Sequence, residues 1–193
     1  MTTADTGRRQ LGSTDVKRLN RSWRRRTQAR IGLLLESVGQ PFNLGSIIRT
    51  AAALGAEQLW LCGAGAVTPE HPSARKTALG TDRYLPWEHV PDVRSGVAAA
   101  RAEGLRVIAV ELASGAVPLH EAPLEGDICL ALGHEDRGCS AALLAAADAV
   151  AYIPQAGKVG SLNVAVAAAI ALAEARRREW AQPPPWTGPD GPQ

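Results

Sequence analysis

Residues 161–180 read "SLNVAVAAAIALAEARRREW", and this stretch predicts a long helix with an amide side chain in its first turn. The run of Ala, Val, Ile and Leu after Asn163 is typical of a helix that packs against a core. Ser161 is a residue type that begins helices, whereas Asn163 is a poor helix former whose amide is costly to bury without a partner. We therefore expect Asn163 to hydrogen-bond a group from elsewhere in the chain.

The chain before this helix alternates short apolar runs with helical patterns. The apolar runs are bounded by Gly, Pro or charged residues and indicate buried strands at 31–37, 58–62, 105–112, 127–133 and 149–154. Helical patterns cover 43–55, 91–104, 139–148 and the stretch from Ser161. This alternation predicts an α/β fold with a mostly parallel sheet.

The length and composition indicate one soluble domain. Of the 193 residues, 46% are hydrophobic, which suits one globular domain with short extensions. The cysteines, Cys62, Cys129 and Cys139, are odd in number and lack Cys-x-x-Cys spacing, so neither a disulfide framework nor a zinc site is indicated. We find no apolar run long enough to span a membrane and no N-terminal apolar signal core. We therefore expect a soluble, cytoplasmic protein that does not bind membranes.

Charge is distributed unevenly along the chain. Residues 1–30 contain nine Lys or Arg against two Asp or Glu, whereas residues 31–193 contain twelve against seventeen. A basic arm on an acidic body is typical of a protein that binds a polyanion such as RNA. We expect RNA contacts from Arg24, Arg25 and Arg26, and from Arg177 and Arg178 near the chain's end. A solvated basic segment without a partner is the alternative that this pattern leaves open.

The basic arm has the pattern of an amphipathic helix. Within "STDVKRLNRSWRRRTQAR" (13–30), Val16, Leu19 and Trp23 recur at helical spacing behind Ser13 and Thr14, either of which can cap a helix. The chain therefore divides into a basic helical extension at 1–30, a main domain at 31–180 and a Pro/Gly-rich, disordered tail at 181–193.

Three loops at the carboxyl ends of predicted strands hold polar residues. In a parallel sheet, ligands bind where such loops meet helix N-termini. The loop after the first strand carries Asn43, which can cap the next helix, and Arg49 follows six residues later. The loop after the fourth strand holds Glu135 between two glycines, and the loop after the fifth is rich in glycine. Glu135 and its neighbours His134 and Asp136 are adjacent rather than spaced at i, i+4, so we expect no metal.

These loops contain three ordered motifs, "NLGSIIRT" (43–50), "GHEDRGCS" (133–140) and "IPQAGKVGSLNVAVA" (153–167). Together they resemble the motifs of the SpoU, or TrmH-like, branch of the SPOUT family of RNA ribose methyltransferases, and the resemblance extends over residues 31–179. The chain departs from that pattern at Gln155, Cys139 and Ala165, where the family usually has Met, Leu and Ser. The first two departures fall in the loops that bind the family's cofactor.

The resemblance implies a parallel sheet flanked by helices, with the C-terminal segment threaded into a deep trefoil knot. It also implies S-adenosyl-L-methionine as the cofactor, and an obligate homodimer in which the first motif of the partner subunit completes each site. The residues that would bind the cofactor by this resemblance are Leu132, Gly133, Ile153, Gln155, Gly157, Ser161 and Leu162.

The resemblance further implies catalytic roles for Arg49, Asn43, Glu135, Ser161 and Asn163. The implied reaction moves a methyl group from a sulfonium to a ribose 2′-hydroxyl, which must lose its proton as the new bond forms. A guanidinium is a weak base, so we expect Arg49 to position the adjacent phosphate and stabilise the developing alkoxide. Asn43 would orient the arginine or the ribose, and Glu135 would hold Asn43 or Arg49. Ser161 and Asn163 would face Arg49 and Glu135 in the same pocket.

The RNA substrate is only weakly indicated by the sequence. Family members that act on the wobble ribose of tRNA have almost nothing outside the knotted domain, whereas those that methylate the D-loop guanosine carry helical extensions at both ends. This chain has its basic extension and "EARRREW" (174–180), which favours guanosine 18 of tRNA, although Glu179 stands where D-loop enzymes tend to have an arginine. The alternatives are a tRNA wobble-position or 23S rRNA methyltransferase, and a non-catalytic knotted RNA-binding protein.

Overall fold

Seven parallel strands form one sheet in the computed structural model, which describes residues 9–181. The strands are β1 (Ile31–Glu36), β2 (Gln58–Cys62), β3 (Trp87–Val90), β4 (Arg106–Val110), β5 (Val117–Pro118), β6 (Ile128–Leu132) and β7 (Ala149–Tyr152). The helices are α1 (Ser13–Arg26), α2 (Pro41–Ala53), α3 (Pro72–Ala78), α4 (Val93–Ala102), α5 (Ala141–Ala146) and α6 (Val164–Ala181). The predicted tail lies outside the described residues, apart from its first residue.

The strand order is β3-β2-β1-β6-β4-β7-β5, and all neighbouring pairs are parallel. This order confirms the predicted parallel sheet. Because β6 lies between β1 and β4, and β7 lies beside β4, the loops that follow these strands meet at the carboxyl end of the sheet. The second motif occupies the loop after β6, the third occupies the loop after β7 and the first turn of α6, and the first lies in α2, the helix that follows β1. The trefoil knot stays a prediction, since strand order alone does not define how the last segment is threaded.

Helices cover both faces of the sheet, as buried parallel strands require. Leu33 and Leu35 of β1 face a core that includes residues of α2, α3 and α6, whereas Leu34 faces a second core with residues of α4 and α5. The second core also contains the buried, unpaired cysteines Cys62, Cys129 and Cys139. Within residues 9–181, no helix combines the length and apolar character that crossing a bilayer requires.

The four helices predicted for the main domain each begin at a residue other than the predicted one, and two of these differences affect the site. Helix α2 begins at Pro41 rather than Asn43, because proline suits the first helical position, where no N–H is needed. Helix α6 begins at Val164 rather than Ser161. The sequence patterns also missed α3, β3 and β5. Strand β3 lies at the sheet edge and exposes Glu88 and His89, so it lacks the continuous apolar run of the inner strands.

Helix α1 is exposed along its length, and none of its residues is buried. It begins at Ser13 without a side-chain cap, so the predicted cap by Ser13 or Thr14 is wrong. Asp15 instead places a negative charge near the free N–H groups of the first turn. The apolar Val16 and Leu19 are exposed, so the contacts that fix α1 lie at its other end.

The last turn of α1 is fixed to the end of α6. The ring centroids of Trp23 and Trp180 lie 5.0 Å apart, and Trp180 Nε1 donates to Thr27 Oγ1 at 2.9 Å. The Glu179 carboxylate accepts hydrogen bonds from the backbone N–H groups of Gln28 and of the residue after it. Glu179 therefore binds the segment between α1 and β1, which accounts for a carboxylate at this position.

Arg176 of α6 is the buried charged residue at this junction, with 1% of its side chain exposed. It donates to the backbone carbonyls of Leu54 at 2.8 Å and Gly55 at 2.9 Å, where α2 ends. It also donates to the carbonyl of Ala29 at 2.7 Å and to the Glu179 carboxylate at 2.8 Å. One guanidinium thus joins α6, the end of α2 and the entry to β1.

We predict that Arg176→Met lowers the free energy of unfolding by about 3 kcal/mol or more, because it leaves three carbonyls and the Glu179 carboxylate without their buried partner. Urea unfolding followed by circular dichroism measures the change. Arg177→Met is the matched control, since the neighbouring Arg177 side chain is 61% exposed and pairs with Glu174 at the surface. Equal losses in the two variants would contradict a special role for Arg176.

Candidate active site

The Glu135 carboxylate lies at the N-terminus of α2. Its Oε1 accepts hydrogen bonds from Gln40 N at 3.0 Å and from Asn43 Nδ2 at 3.1 Å, and its Oε2 accepts from Gly39 N at 3.2 Å. The N-cap residue Gln40 makes no side-chain capping bond. Glu135 therefore satisfies backbone N–H groups at the start of a helix from a different loop, where a negative charge is also favourable.

Asn163 accepts hydrogen bonds from the backbone N–H groups at the start of α6, as Glu135 does at the start of α2. Its Oδ1 accepts from Ala165 N at 2.9 Å and from Val166 N at 3.3 Å, so Asn163, and not Ser161, caps this helix. Its Nδ2 donates to Asn43 Oδ1 at 2.9 Å. The amide therefore has the outside partner that the sequence led us to expect. We call the chain Glu135–Asn43–Asn163 the polar relay.

The charge of Glu135 is stabilised within the relay. Burial raises the pKa of this carboxyl, but hydrogen bonds from Asn43 and from the backbone N–H groups of Gly39 and Gln40 outweigh burial and hold the pKa below its usual value. A lowered folded-state pKa stabilises the fold above the unfolded-state pKa, and that stabilisation is lost as the pH falls through the folded-state value. The relay therefore contains a charged carboxylate at neutral pH.

A pocket of about 310 Å³ opens where β4, β6 and β7 end. Six of the seven predicted cofactor-binding residues line it: Leu132, Gly133, Ile153, Gln155, Ser161 and Leu162. Gly157, the seventh, does not line it and is exposed in the loop after β7. Sequence reasoning missed Glu111, which lines the pocket just after β4; its only signal was an acidic residue at the carboxyl end of an apolar run.

Gln155 is the departure from the motif that lies in this pocket. Its Oε1 is buried and has no hydrogen-bond partner among the described residues. A buried polar atom without a partner is costly, and a ligand with a hydrogen-bond donor can remove that cost. The pocket is thus suited to a small molecule that carries N–H or O–H groups.

A groove of about 440 Å³ adjoins this pocket and shares part of its wall. Four of the five predicted catalytic residues line the groove: Asn43, Glu135, Ser161 and Asn163. In residues 9–181, no three His, Cys, Asp or Glu side chains are grouped as a metal site needs. The structure therefore places a small-molecule pocket beside an open groove with amide, hydroxyl and carboxylate groups.

Arg49 does not line the groove, although the sequence suggested that Ser161 and Asn163 would face it. It is exposed on α2 and pairs with no carboxylate of residues 9–181. Arg49 follows Phe42 by seven residues, so the two lie on one stripe of the helix. The first motif is therefore divided: Asn43 belongs to the groove of its own chain, whereas Arg49 lies on another face.

Phe42, at the start of that stripe, lines an apolar surface between α2 and α6, which Asn43 and Asn163 also line and Arg49 does not. Phe42 is 62% exposed, Val166 47% and Ile170 37%. Small residues of α6, Ala165, Ala169 and Ala173, line the same surface. Exposed apolar side chains in this number indicate a contact surface.

The predicted RNA-binding arginines differ in whether their guanidinium groups are exposed or are held by contacts within the chain. Arg24, Arg25 and Arg26 form the exposed last turn of α1, with the Arg26 guanidinium 4.5 Å from the centre of the Trp23 ring. Arg177 pairs with Glu174 but stays 61% exposed. The Arg178 side chain is 15% exposed and is held by Glu125, Glu174 and the backbone carbonyls of His120 and Ala122, so its guanidinium is used internally.

We predict that Asn163→Ala lowers the free energy of unfolding by about 1–2 kcal/mol, because α6 loses its cap and Asn43 Oδ1 loses its donor. Asn163→Asp keeps the capping oxygen but sets an acceptor against Asn43 Oδ1, so it should restore the cap and not the contact with Asn43. Urea unfolding of both variants, with and without Asn43→Ala, gives the coupling energy between the two amides. A coupling energy of zero would contradict the relay.

Comparison with known proteins identifies the motifs. The SpoU rRNA Methylase family matches residues 30–173. A 23S rRNA (guanosine(2553)-2′-O)-methyltransferase of Bacillus subtilis is 39% identical over 142 residues, which are 74% of this chain and 56% of that protein. A tRNA (guanosine(18)-2′-O)-methyltransferase of Escherichia coli is 32% identical over 153 residues, which are 79% of this chain and 66% of that protein.

A solved structure agrees with these relatives. The AdoMet-bound rRNA methyltransferase of Sinorhizobium meliloti superposes with a TM-score of 0.72 at 34% identity, over 78% of this chain and 57% of that one. The chain thus spans between 56% and 66% of the length of these three proteins. Because the family match covers all seven strands and all three motifs, the chain belongs to the SpoU rRNA methylase family.

Proposed function

We propose that this protein is an S-adenosylmethionine-dependent RNA ribose 2′-O-methyltransferase. The observation that carries the proposal is the polar relay, which brings residues of all three motifs to a groove beside a small-molecule pocket. The names of the Bacillus and Escherichia relatives support the reaction class.

The pocket fits the cofactor of this reaction. The orphaned Gln155 Oε1 requires a donor, and S-adenosylmethionine carries an amino group on its adenine, two ribose hydroxyls and an ammonium. Leu132, Gly133, Ile153, Gln155, Ser161 and Leu162 would hold it. When bound, the cofactor supplies an electrophilic methyl group on a sulfonium.

The relay sets the orientation of the amides that face the groove. A charged carboxylate only accepts hydrogen bonds, so Asn43 must direct its Nδ2 to Glu135 and its Oδ1 to Asn163. Each NH₂ group keeps a second N–H for the substrate. Asn43, Asn163 and the Ser161 hydroxyl would therefore bind and orient the ribose and its phosphate.

Arg49 would act in the groove of a second copy of the chain. Arg49 lies two turns from Phe42 on the same side of α2, and Phe42 lines the apolar surface of α2 and α6, which supports a homodimer through that surface. The guanidinium would position the phosphate next to the target ribose and stabilise the developing alkoxide, while the phosphate or a water accepts the proton.

The cytoplasmic location of the protein also stays a prediction.

For the RNA, we propose guanosine 18 in the D-loop of tRNA. The fixed position of α1 against α6 supports a substrate that needs an extension outside the main domain. A guanosine of 23S rRNA is the second candidate, because the Bacillus relative has the higher identity. A non-catalytic RNA-binding protein would transfer no methyl group to either.

The test is transfer of a radiolabelled methyl group to unmodified tRNA and to 23S rRNA transcripts, followed by mapping of the 2′-O-methyl site. We expect Arg49→Ala to abolish transfer while calorimetry shows nearly unchanged cofactor affinity, because Arg49 lies outside the pocket. Arg75→Ala, at an exposed arginine of α3, is the control. Near-native single-turnover rates in Arg49→Ala would contradict its catalytic role.

A shared site also predicts complementation between inactive variants. In a dimer formed from Arg49→Ala and Asn163→Ala chains, one site carries both lesions and the other carries none. Random mixing should therefore restore about a quarter of the wild-type activity. Co-refolding of the two variants, with light scattering to confirm dimers, measures this. No recovery in confirmed mixed dimers would contradict the shared site.

If α1 binds RNA phosphates, replacing Arg24, Arg25 and Arg26 with Ala should make the slope of log K against log salt shallower by about 2 to 3 units. The matched control replaces Arg75, Lys76 and Arg83, three exposed cations elsewhere in the chain. Binding of tRNA across a salt series measures both slopes. Parallel lines for wild type and the α1 variant would indicate a solvated helix without an RNA contact.

A further inference from the structure

Two carboxylates hold the loop that follows β6, residues 133–140, which we call the β6 loop. Glu36 Oε2, at the end of β1, accepts a hydrogen bond from Ser140 N at 2.9 Å. Glu111 Oε2, just after β4, accepts one from Cys139 N at 2.7 Å. Because β1 and β4 are the two neighbours of β6 in the sheet, consecutive N–H groups of the loop are held from opposite sides.

The glycines of the second motif permit these contacts. A Cβ at Gly133 would overlap the backbone of Gly138 and Cys139, so the loop folds back onto the strand end at a distance that only glycine allows. Gly138 has a φ of 66°, and a Cβ there would overlap the Glu111 carboxylate. Gly133 is therefore explained by the close return of the loop backbone, and Gly138 by close packing against the carboxylate of Glu111.

The β6 loop carries groups that the reaction needs. Its residues His134 to Gly138 line the cofactor pocket, and Glu135 is the charged end of the polar relay. We propose that Glu36 and Glu111 are positioning residues, which hold the β6 loop in its cofactor-binding shape before the cofactor arrives. This proposal rests on the proposed function. A loop without these bonds must be ordered on binding, and that ordering weakens the affinity.

The two carboxylates differ in a way that makes the proposal testable. Glu36 accepts one hydrogen bond from the loop, so the amide oxygen of a glutamine can replace it. Glu111 uses both oxygens, because its Oε1 also accepts from Leu112 N at 2.9 Å. Glutamine at position 111 would direct an NH₂ group at one of two N–H donors. Glutamine should therefore rescue the first position fully and the second only in part.

The experiment compares Glu36→Gln, Glu36→Leu, Glu111→Gln and Glu111→Leu in the full-length chain. Calorimetry measures the Kd for S-adenosylmethionine, and hydrogen exchange measures protection of the amides of Cys139 and Ser140. We expect both leucine variants to bind about tenfold more weakly or worse, and Glu36→Gln to stay within about twofold of wild type. The affinity of Glu111→Gln should lie between that of Glu36→Gln and that of the leucine variants. Glu88→Leu, at an exposed carboxylate of β3, should change neither measurement.

Loss of protection at Cys139 and Ser140 in the weakened variants, with its recovery in Glu36→Gln, would support the positioning role. Unchanged cofactor affinity in the leucine variants, or equal losses in Glu36→Gln and Glu36→Leu, would overturn it. If a leucine variant does not fold, equal affinities of Glu36→Gln and Glu111→Gln overturn it instead. If wild-type protein does not bind the cofactor, the proposed function fails, and exchange at the two amides still decides whether the carboxylates order the loop.

Discussion

The Glu135 carboxylate is the group on which the other parts of the site depend. It accepts from two backbone N–H groups before α2 and from Asn43, and through Asn43 it determines which end of the Asn163 amide faces α6. Because a carboxylate has no proton to donate when charged, every amide in the relay has one satisfactory orientation. The starts of two helices and the polar wall of the groove follow from that one charge.

The carboxylates at the carboxyl end of the sheet are stabilised by hydrogen bonds from backbone N–H groups rather than by side-chain cations. Glu36, Glu111 and Glu135 all accept from loop or helix-start amides. Such bonds stabilise the charge of a carboxylate without an ion pair. The body of the chain is acidic overall, so under the proposed function RNA must be attracted by α1 and by Arg49.

The sequence predicted those features that local pattern determines. The inner strands have continuous apolar runs because both of their faces are buried, and the motifs identified the loops of the site. Strand β3 was missed because an edge strand has one neighbour and tolerates Glu88 and His89. Glu111 was missed because its contacts with the β6 loop join residues 28 positions apart. The internal pairing of Arg178 likewise depends on Glu125, which is distant in the sequence, so no local pattern predicts the pair.

The separation of Asn43 from Arg49 follows from helical geometry once the start of α2 is known. With Pro41 as the first helical residue, both side chains lie on one helix, and a spacing of six residues leaves them about 120° apart around its axis. One rigid helix cannot present two side chains at that angle to the same groove. If both groups act on one ribose, as we propose, the arginine must come from a second copy, whose α2 lies across the apolar surface. Under that proposal, a homodimer would follow from the spacing within the first motif.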